Sequence, residues 1–360
     1  IARDATTQDF NAGRAAVGSG RYRLVQYTQG ERVVLERNPS WRGEASPFSR
    51  VTFRVIANDS ARVAALRAGD VQLIEIVPPR DVAQLERDPN VAIWSAPGTR
   101  LIYISLDLSR DAAPGLADLE GRPLERNPFK DVRVRRALSL AIDREAIARN
   151  IMEGQATPAG QMQAIGLGVA DPELRADPFD PARARALLAE AGWGGGFRIS
   201  LAGPNDRYVN DERVLQAIAQ YWERIGVRVR VDAIPSNVFF PRSAQRAYAV
   251  SMTGWQSSSY EPSNIFAPLL LTQDRRRGWG TVNRHLYSNP RVDALYERAV
   301  VSMDAEERAR LWREGMRLAM ADAPYLPIHH QMNIWATRRG LTYAPRSDEY
   351  TLVTSLGIAP

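Results

Sequence analysis

The stretch GWQSSSYEPSN, residues 254–264, sets Trp255 ahead of three consecutive hydroxyls, Ser257, Ser258 and Ser259, and then Tyr260 and Glu261. An indole, a phenol and a cluster of small hydroxyls at the end of a strand suit recognition more than reaction. A small-molecule pocket needs a flat apolar wall and a few placed hydrogen-bonding groups, and open α/β sheets bind ligands at the carboxyl ends of their strands. The alternative is that Trp255 is core and the serines are a loop. A nucleophilic serine here would need a general base and an oxyanion site, and no histidine stands in its sequence context.

The other reactive residues are sparse. His285, His329 and His330 are the only histidines. No H-x-x-x-H pair of the kind that binds zinc on a helix occurs. His329 and His330 are adjacent, so on a strand they point to opposite faces, and a structural or surface role is expected for all three. Neither a G-x-S-x-G elbow nor a Walker loop is present, and the glycines of GWGGGF, residues 192–197, read as a helix stop and a turn. Two further positions fit binding. Arg207 and Tyr208, in GPNDRYVND, follow the strand FRISL, and a guanidinium fork matches a carboxylate, unless Arg207 is simply a solvated loop residue. Asp107 ends the apolar run LIYISLDLS.

The elements that must position these residues belong to a globular chain of 360 residues with 44% hydrophobic content, enough for two or three domains. No run of 18 or more apolar residues occurs. Cysteine is absent, which excludes disulfides, thiolate metal sites and cysteine nucleophiles. The net charge of +6 comes from arginines interspersed with acids, as in ERVVLER, DREAIAR and DAEERAR. That is a salt-laced surface rather than the clustered basic face of a nucleic-acid binder, so no nucleic-acid partner is expected. The opening residues, IARDATTQDF, carry neither an initiator Met nor an export signal, which reads as a processed or truncated start.

Along the chain, RYRLVQY and ERVVLER around Gln29-Gly30 predict a hairpin. VTFRVI predicts a strand, NDSARVAALRAGD a helix with Asp59 or Ser60 as N-cap and Gly69 as stop, and DVQLIEI a strand. LIYISLDLS reads as a strand buried on both faces. Residues 110–130, rich in Pro, Gly and charge, read as a crossing between lobes. Beyond it, DVRVRRALSLAIDREAIARN predicts one helix with Val134, Leu138, Ala141 and Ile142 inward. Asp180, Pro181 and Gly192 punctuate a second helix, and a third carries Val214, Ile218, Tyr221, Trp222 and Ile225 before Gly226. VRVRVDA and YAVSMTGW predict strands. Two closing helices follow, one from Pro290 and one with Asp304 and Glu307 as a capping box, before a tail of strand and loop.

Five stretches together resemble the family-5 extracellular solute-binding proteins of bacterial ABC transporters, the peptide, oligopeptide and nickel receptors. They are GSGRYRLVQYTQGERVVLERNPSWRG, NPFKDVRVRRALSLAIDREAIARNIMEGQATPAG, FDPARARALLAEAGW, GPNDRYVNDERVLQAIAQYWERIGVRV and SNPRVDALYERAVVSMDAEERARLWREGMRLAMADAPYLPIHHQ, in the family's order and spacing. The resemblance implies an α/β fold of the periplasmic-binding-protein type (class II, cluster C), two lobes around a cleft, with the N-terminal part of the first lobe missing from this sequence. It implies that residues 1–110 are part of lobe I, 111–130 the inter-lobe crossing, 131–330 lobe II and 331–360 the return to lobe I. It also implies a non-enzymatic receptor without cofactors, periplasmic or otherwise extracytoplasmic, peripheral to the membrane, with any lipid anchor encoded upstream. Its partners would be a small organic ligand and the ABC permease subunits. The ligand would be met by Trp255, Ser257, Ser258, Ser259, Tyr260, Arg207, Tyr208 and Asp107, the last at a hinge position where the family usually has Asn. A nickel or metal-chelate receptor and a non-transport interaction protein of the same fold are the alternatives.

In the peptide receptors of this family, the third position after the Trp of this corner is an Asp that pairs with the peptide's α-ammonium, and here it is Ser258. A hydroxyl cannot offset the desolvation of a buried ammonium, which costs several kcal/mol. The expected ligand therefore lacks a free N-terminal ammonium. Calorimetry with dipeptides and their N-acetylated forms checks this, and tight binding of the free peptides that acetylation abolishes would contradict it; Glu261 is the nearest substitute carboxylate.

Overall fold

The structure, a computed structural model, describes residues 4–360, so the first three residues of the expected lobe I segment lie outside it. The chain divides into two compact units, residues 1–96 with 333–360 and residues 97–332. Residues 97–130 thus group with the second unit, whereas the sequence reading assigned them to the first lobe and the crossing.

The first unit opens with α1 (Thr7–Asn11), whose N-cap Thr6 and Asp9 form a reciprocal capping box. The expected hairpin is β1 (Tyr22–Thr28) and β2 (Arg32–Arg37), extended by β3 (Arg50–Arg54) into an antiparallel sheet of order β1-β2-β3. Only Val34 of these strands is buried, while Val25, Tyr27 and the following Val55 are exposed. Helix α2 (Asp59–Ala68) is capped by Asn58, not by Asp59 or Ser60, because the Asn58 amide oxygen reaches the Ala61 N–H at 2.9 Å. Gly69 ends it in the left-handed region. Strand β4 (Leu73–Glu75) is shorter than DVQLIEI suggested, and α3 (Pro79–Glu86), which sequence reading did not anticipate, starts on Pro79. Strand β5 (Val91–Leu106) begins in this unit and continues into the second.

The second unit holds most strands of the eight-stranded sheet. After β6 (Leu116–Ala117), helix α4 (Val132–Leu140) carries Val134 and Leu138 into the core, but the single helix expected through Asn150 is broken. The Asp143 carboxylate accepts from the Ala146 N–H at 2.8 Å and starts α5 (Arg144–Ala146), which passes into a π-helical turn at Ile147–Ile151. Then come β7 (Ala156–Pro158), α6 (Pro181–Glu190) under its Asp180 cap, β8 (Phe197–Pro204), α7 (Asp211–Glu223) and β9 (Val227–Ile234). Helix α8 (Ser236–Ala244), with Pro241 inside it, was not legible in the sequence. Strand β10 (Val250–Gln256) leads to α9 (Ser263–Ile265), a π-helical turn at Phe266–Leu270, α10 (Pro290–Val301) and α11 (Ala305–Asp322). Asp304 caps α11 as expected, although the Glu307 carboxylate takes the Ser302 hydroxyl at 3.1 Å instead of completing a box. Strand β11 (Tyr325–Arg338) returns the chain to the first unit, where β12 (Leu341–Tyr343) pairs with β13 (Leu356–Ile358).

Strands β11, β5, β10 and β8 are successive neighbours, with β9 parallel to β8. One side of this sheet packs Ile102, Ile104, Val250, Met252 and Leu201 against α4, α6 and α7. The other packs Leu101, Tyr103 and Tyr325 against the Phe266–Leu270 turn, α10 and α11. Two of the many arginines leave the salt-laced surface: Arg135 and Arg144 are buried, each donating to backbone carbonyls. Arg135 binds the Asp322 carbonyl at the end of α11, where a cation complements the helix dipole.

Trp222 is fully buried and its Nε1 donates to the Leu138 carbonyl at 2.9 Å, tying α7 to α4. Trp222→Ala should lower stability by about 3–5 kcal/mol, from lost packing and an unpaired carbonyl. Denaturant titration measures it, and a loss below about 1 kcal/mol would show this contact to be dispensable.

Candidate functional site

The site is built on the pairing of β5 with β10, which sets Leu101 opposite Trp255, Tyr103 opposite Thr253 and Ser105 opposite Ser251. Side chains alternate across a strand, so these residues share the face turned away from the Ile102–Ile104–Met252 core. All of them but Leu101, which packs in the core beneath α10 and α11, line a pocket of roughly 200 Å³ within the second unit, completed by Phe240 and Ser243 of α8, Tyr325 of β11, and Arg284 and His285 of the loop before α10. Tyr103 and Tyr325 meet edge to face with centroids 5.2 Å apart. The Ser105 and Ser251 hydroxyls are 3.0 Å apart, and Ser105 also reaches the Ser251 carbonyl at 3.2 Å. The walls are aromatic, the floor carries hydroxyls and one side carries a guanidinium.

Of the residues singled out in the sequence, Trp255 lines this pocket, with its Nε1 held by the Asn264 carbonyl at 3.1 Å. Tyr208 stands next to it: its hydroxyl lies 3.2 Å from the Thr253 hydroxyl and donates to the Gly254 carbonyl at 3.4 Å. Its ring lies so close to Gly254 that a Cβ there would meet it at 2.8 Å. The buried Asp211 carboxylate fixes the loop by accepting from the Arg207 and Tyr208 N–H groups, each at 3.0 Å. Burial raises the pKa of Asp211, against the pull of these bonds. Arg207 itself is exposed, its guanidinium 5.4 Å from the Tyr208 ring centre, outside the pocket lining.

The serine cluster is not part of this lining. Ser257 is buried with its hydroxyl unpartnered, while Ser258, Ser259 and Tyr260 are exposed. Tyr260 has a left-handed backbone, and its carbonyl accepts from the Gln163 amide at 2.9 Å. Asp107 also plays a different part from the ligand contact expected of it. It is fully buried, and its carboxylate accepts from the Ser109 N–H at 2.9 Å, the Ser109 hydroxyl at 2.8 Å and the Arg110 guanidinium. Burial pushes its pKa up, but these bonds together outweigh burial and hold it below the usual value. Asp107 therefore anchors the end of β5.

Sequence reading missed Tyr103, Ser105, Ser251, Thr253, Arg284 and Tyr325. The signal for four of them was present, since Tyr103 and Ser105 alternate in LIYISL, and Ser251 and Thr253 alternate towards Trp255 in VSMTGW. A run read as buried on both faces hides that polar period. No comparable signal marks Arg284 or Tyr325, which arrive from distant loops and strands.

Comparison with known proteins agrees with this architecture. The model of the bacterial extracellular solute-binding proteins, family 5, matches residues 2–276. The chain belongs to that family. Among its relatives, heme-binding protein A of Haemophilus influenzae is 26% identical over 325 residues, covering 88% of this chain and 55% of that protein. The glutathione-binding protein GsiB of Salmonella typhimurium is 27% identical over 334 residues, covering 91% and 61%. The family 5 fold is seen in the periplasmic binding protein DppA of Helicobacter pylori in complex with the peptide STSA, with a TM-score of 0.79 at 20% identity over 95% of this chain and 63% of that one. The chain thus spans less than two thirds of the length of these relatives.

All three histidines of this family 5 chain are buried. Burial lowers the pKa of His285 to about 4, with Asp107 opposing the shift and Arg110, Arg246 and Arg284 adding to it. Burial likewise lowers His329 to about 3 and His330 to about 4. The unfolded chain binds these protons near pH 6.5 and the folded chain does not, so stability is complete above that pH and falls as pH drops from about 6.5 towards 4. Unfolding at pH 5 should take up about three protons. The slope of unfolding free energy against pH measures this, and a flat profile over pH 5–6.5 would contradict it.

Proposed function

We propose that this chain is the ligand-binding part of a substrate receptor for a bacterial ABC importer. It captures a small organic solute without chemical change and presents it to a pair of membrane permease subunits. The first unit corresponds to lobe I and the second to lobe II, and the site of action is extracytoplasmic. Among the described residues no helix is long and apolar enough to cross a membrane. The observation that carries this reading is the aromatic, hydroxyl-lined pocket around Trp255 in a chain of this family. Such a pocket binds by burying a flat apolar body while a few fixed polar groups set orientation.

The test is a thermal-shift screen with short peptides, glutathione, heme and nickel, since a ligand that binds only the folded state raises its apparent stability by about 2.7 kcal/mol at a hundredfold excess over Kd. At least one solute should stabilise the chain, and Trp255→Ala should weaken that solute about tenfold or more, as loss of a central aromatic anchor does. Stabilisation unaffected by Trp255→Ala would place the ligand elsewhere. Nickel alone giving the shift would favour a metal receptor.

A further inference from the structure

The charges around the pocket do not balance. Asp107 is the carboxylate of this cluster, and two guanidiniums already share it: Arg110 pairs with it directly, and Arg246 approaches to 3.7 Å while bonding the Ser109 hydroxyl. Arg110 also donates to the Arg246 carbonyl at 2.9 Å, which keeps the two cations together. Arg284 is a third. It is half-buried, its guanidinium donates to the Ser243 hydroxyl at 2.7 Å, and no carboxylate among the described residues lies within ion-pair distance of it. The next residue, His285, is buried, all three arginines act on it as positive charges, and its Nδ1 has no hydrogen-bond partner. Both Arg284 and His285 line the pocket.

A half-buried guanidinium whose one side-chain partner is a hydroxyl, with no carboxylate in ion-pair distance, is stabilised when an anion joins it. We propose that Arg284 is the anchor for a carboxylate of the ligand, so that the solute taken by this pocket is a small organic acid. The inference rests on the receptor reading above and deepens it. Arginine presents a planar fork that meets a carboxylate with two parallel bonds, and the hydroxyls of Ser105, Ser251 and Thr253 are further polar partners in the same pocket. Tyr103, Tyr325 and Trp255 supply flat walls for a short planar or apolar stem. The volume, roughly 200 Å³, falls below that of pockets for drug-sized ligands and suits a compact acid or the acidic end of a longer one. The assignment also moves the anionic subsite from the exposed Arg207 to a residue inside the pocket.

Two measurements test the proposal. In the first, thermal shift and calorimetry compare N-acetyl-L-alanine and benzoate with their neutral amides and with inorganic phosphate. An acid should bind and its amide should not; Arg284→Gln should weaken the acid about tenfold or more, and Arg284→Lys should retain part of the affinity. Amides that bind as well as acids, phosphate that binds better than either acid, an Arg284→Gln variant with undiminished affinity, or no binding of either acid at millimolar concentration would each overturn it. The second measurement needs no ligand. Because Arg284 has no counter-charge, unliganded Arg284→Gln should melt at or above the parent temperature, and a clear drop would show that Arg284 is instead a structural partner. A neutral solute that depends on Trp255 but not on Arg284 would sink this proposal and leave the receptor reading standing. If no solute of the wider screen binds, the receptor reading fails as well.

Discussion

The register between β5 and β10 is the constraint on which the second unit depends. Because the side-chain period of a strand is two, the pairing that sets Ile104 opposite Met252 also sets Ser105 opposite Ser251 and Tyr103 opposite Thr253. Ile102, Ile104, Val250 and Met252 go to the helical core, and Tyr103 and Ser105 go to the pocket with Ser251, Thr253 and Trp255. A slip of one residue would drive hydroxyls into the core and aliphatic side chains into the pocket. The core therefore enforces the pocket: each of Ile102, Ile104, Val250 and Met252, essentially fully buried, resists any register in which it would face the other way.

Asp107 fixes the end of that pairing. Its N–H donates to the Ala249 carbonyl at 2.8 Å just beyond the last paired residues, and its own carbonyl accepts from the Asn127 amide at 2.7 Å. The same residue holds the cluster of arginines beside the pocket. An ionised carboxylate at zero exposure is tolerable only because donors fill its oxygens. Removing its carboxylate would leave Arg110 and Arg246 without that anion and the Ser109 N–H and hydroxyl without their acceptor, so a residue that resembles a binding group in sequence acts instead through the positions of others.

Much of the helical frame was legible in the sequence because its signals are local. Asp180, Pro181 and Gly192 delimit α6, and Gly226 follows α7, because caps and left-handed glycines act over one turn. Where the signals competed, reading failed: Asn58 out-reaches Asp59 for the cap, Asp143 restarts a helix inside an unbroken apolar stripe, and Pro241 masks α8. The site divides in the same way. Trp255 is found from its own neighbours, whereas the place of Arg284 depends on Ser243 and Tyr325, whose convergence with it is tertiary. Composition recorded many arginines among acids and could not show which of them lacks an acid.

The two ends of the pocket are held by different physics, and this bears on how a ligand is received. At the Trp255 end, Gly254 leaves no room for a side chain beneath Tyr208, and the Tyr208 loop is pinned by Asp211, so the wall is set by close packing before any ligand enters. At the Arg284 end, a cation is held by one hydroxyl with no carboxylate paired to it. Packed walls give shape selectivity at little entropic cost, because close packing already limits what remains to be ordered. An unbalanced charge adds attraction for one class of ligand and leaves the empty site less stable than it could be, as residues kept for function often do. The first arrangement decides what fits, and the second decides which of the fitting solutes gains enough free energy to be kept.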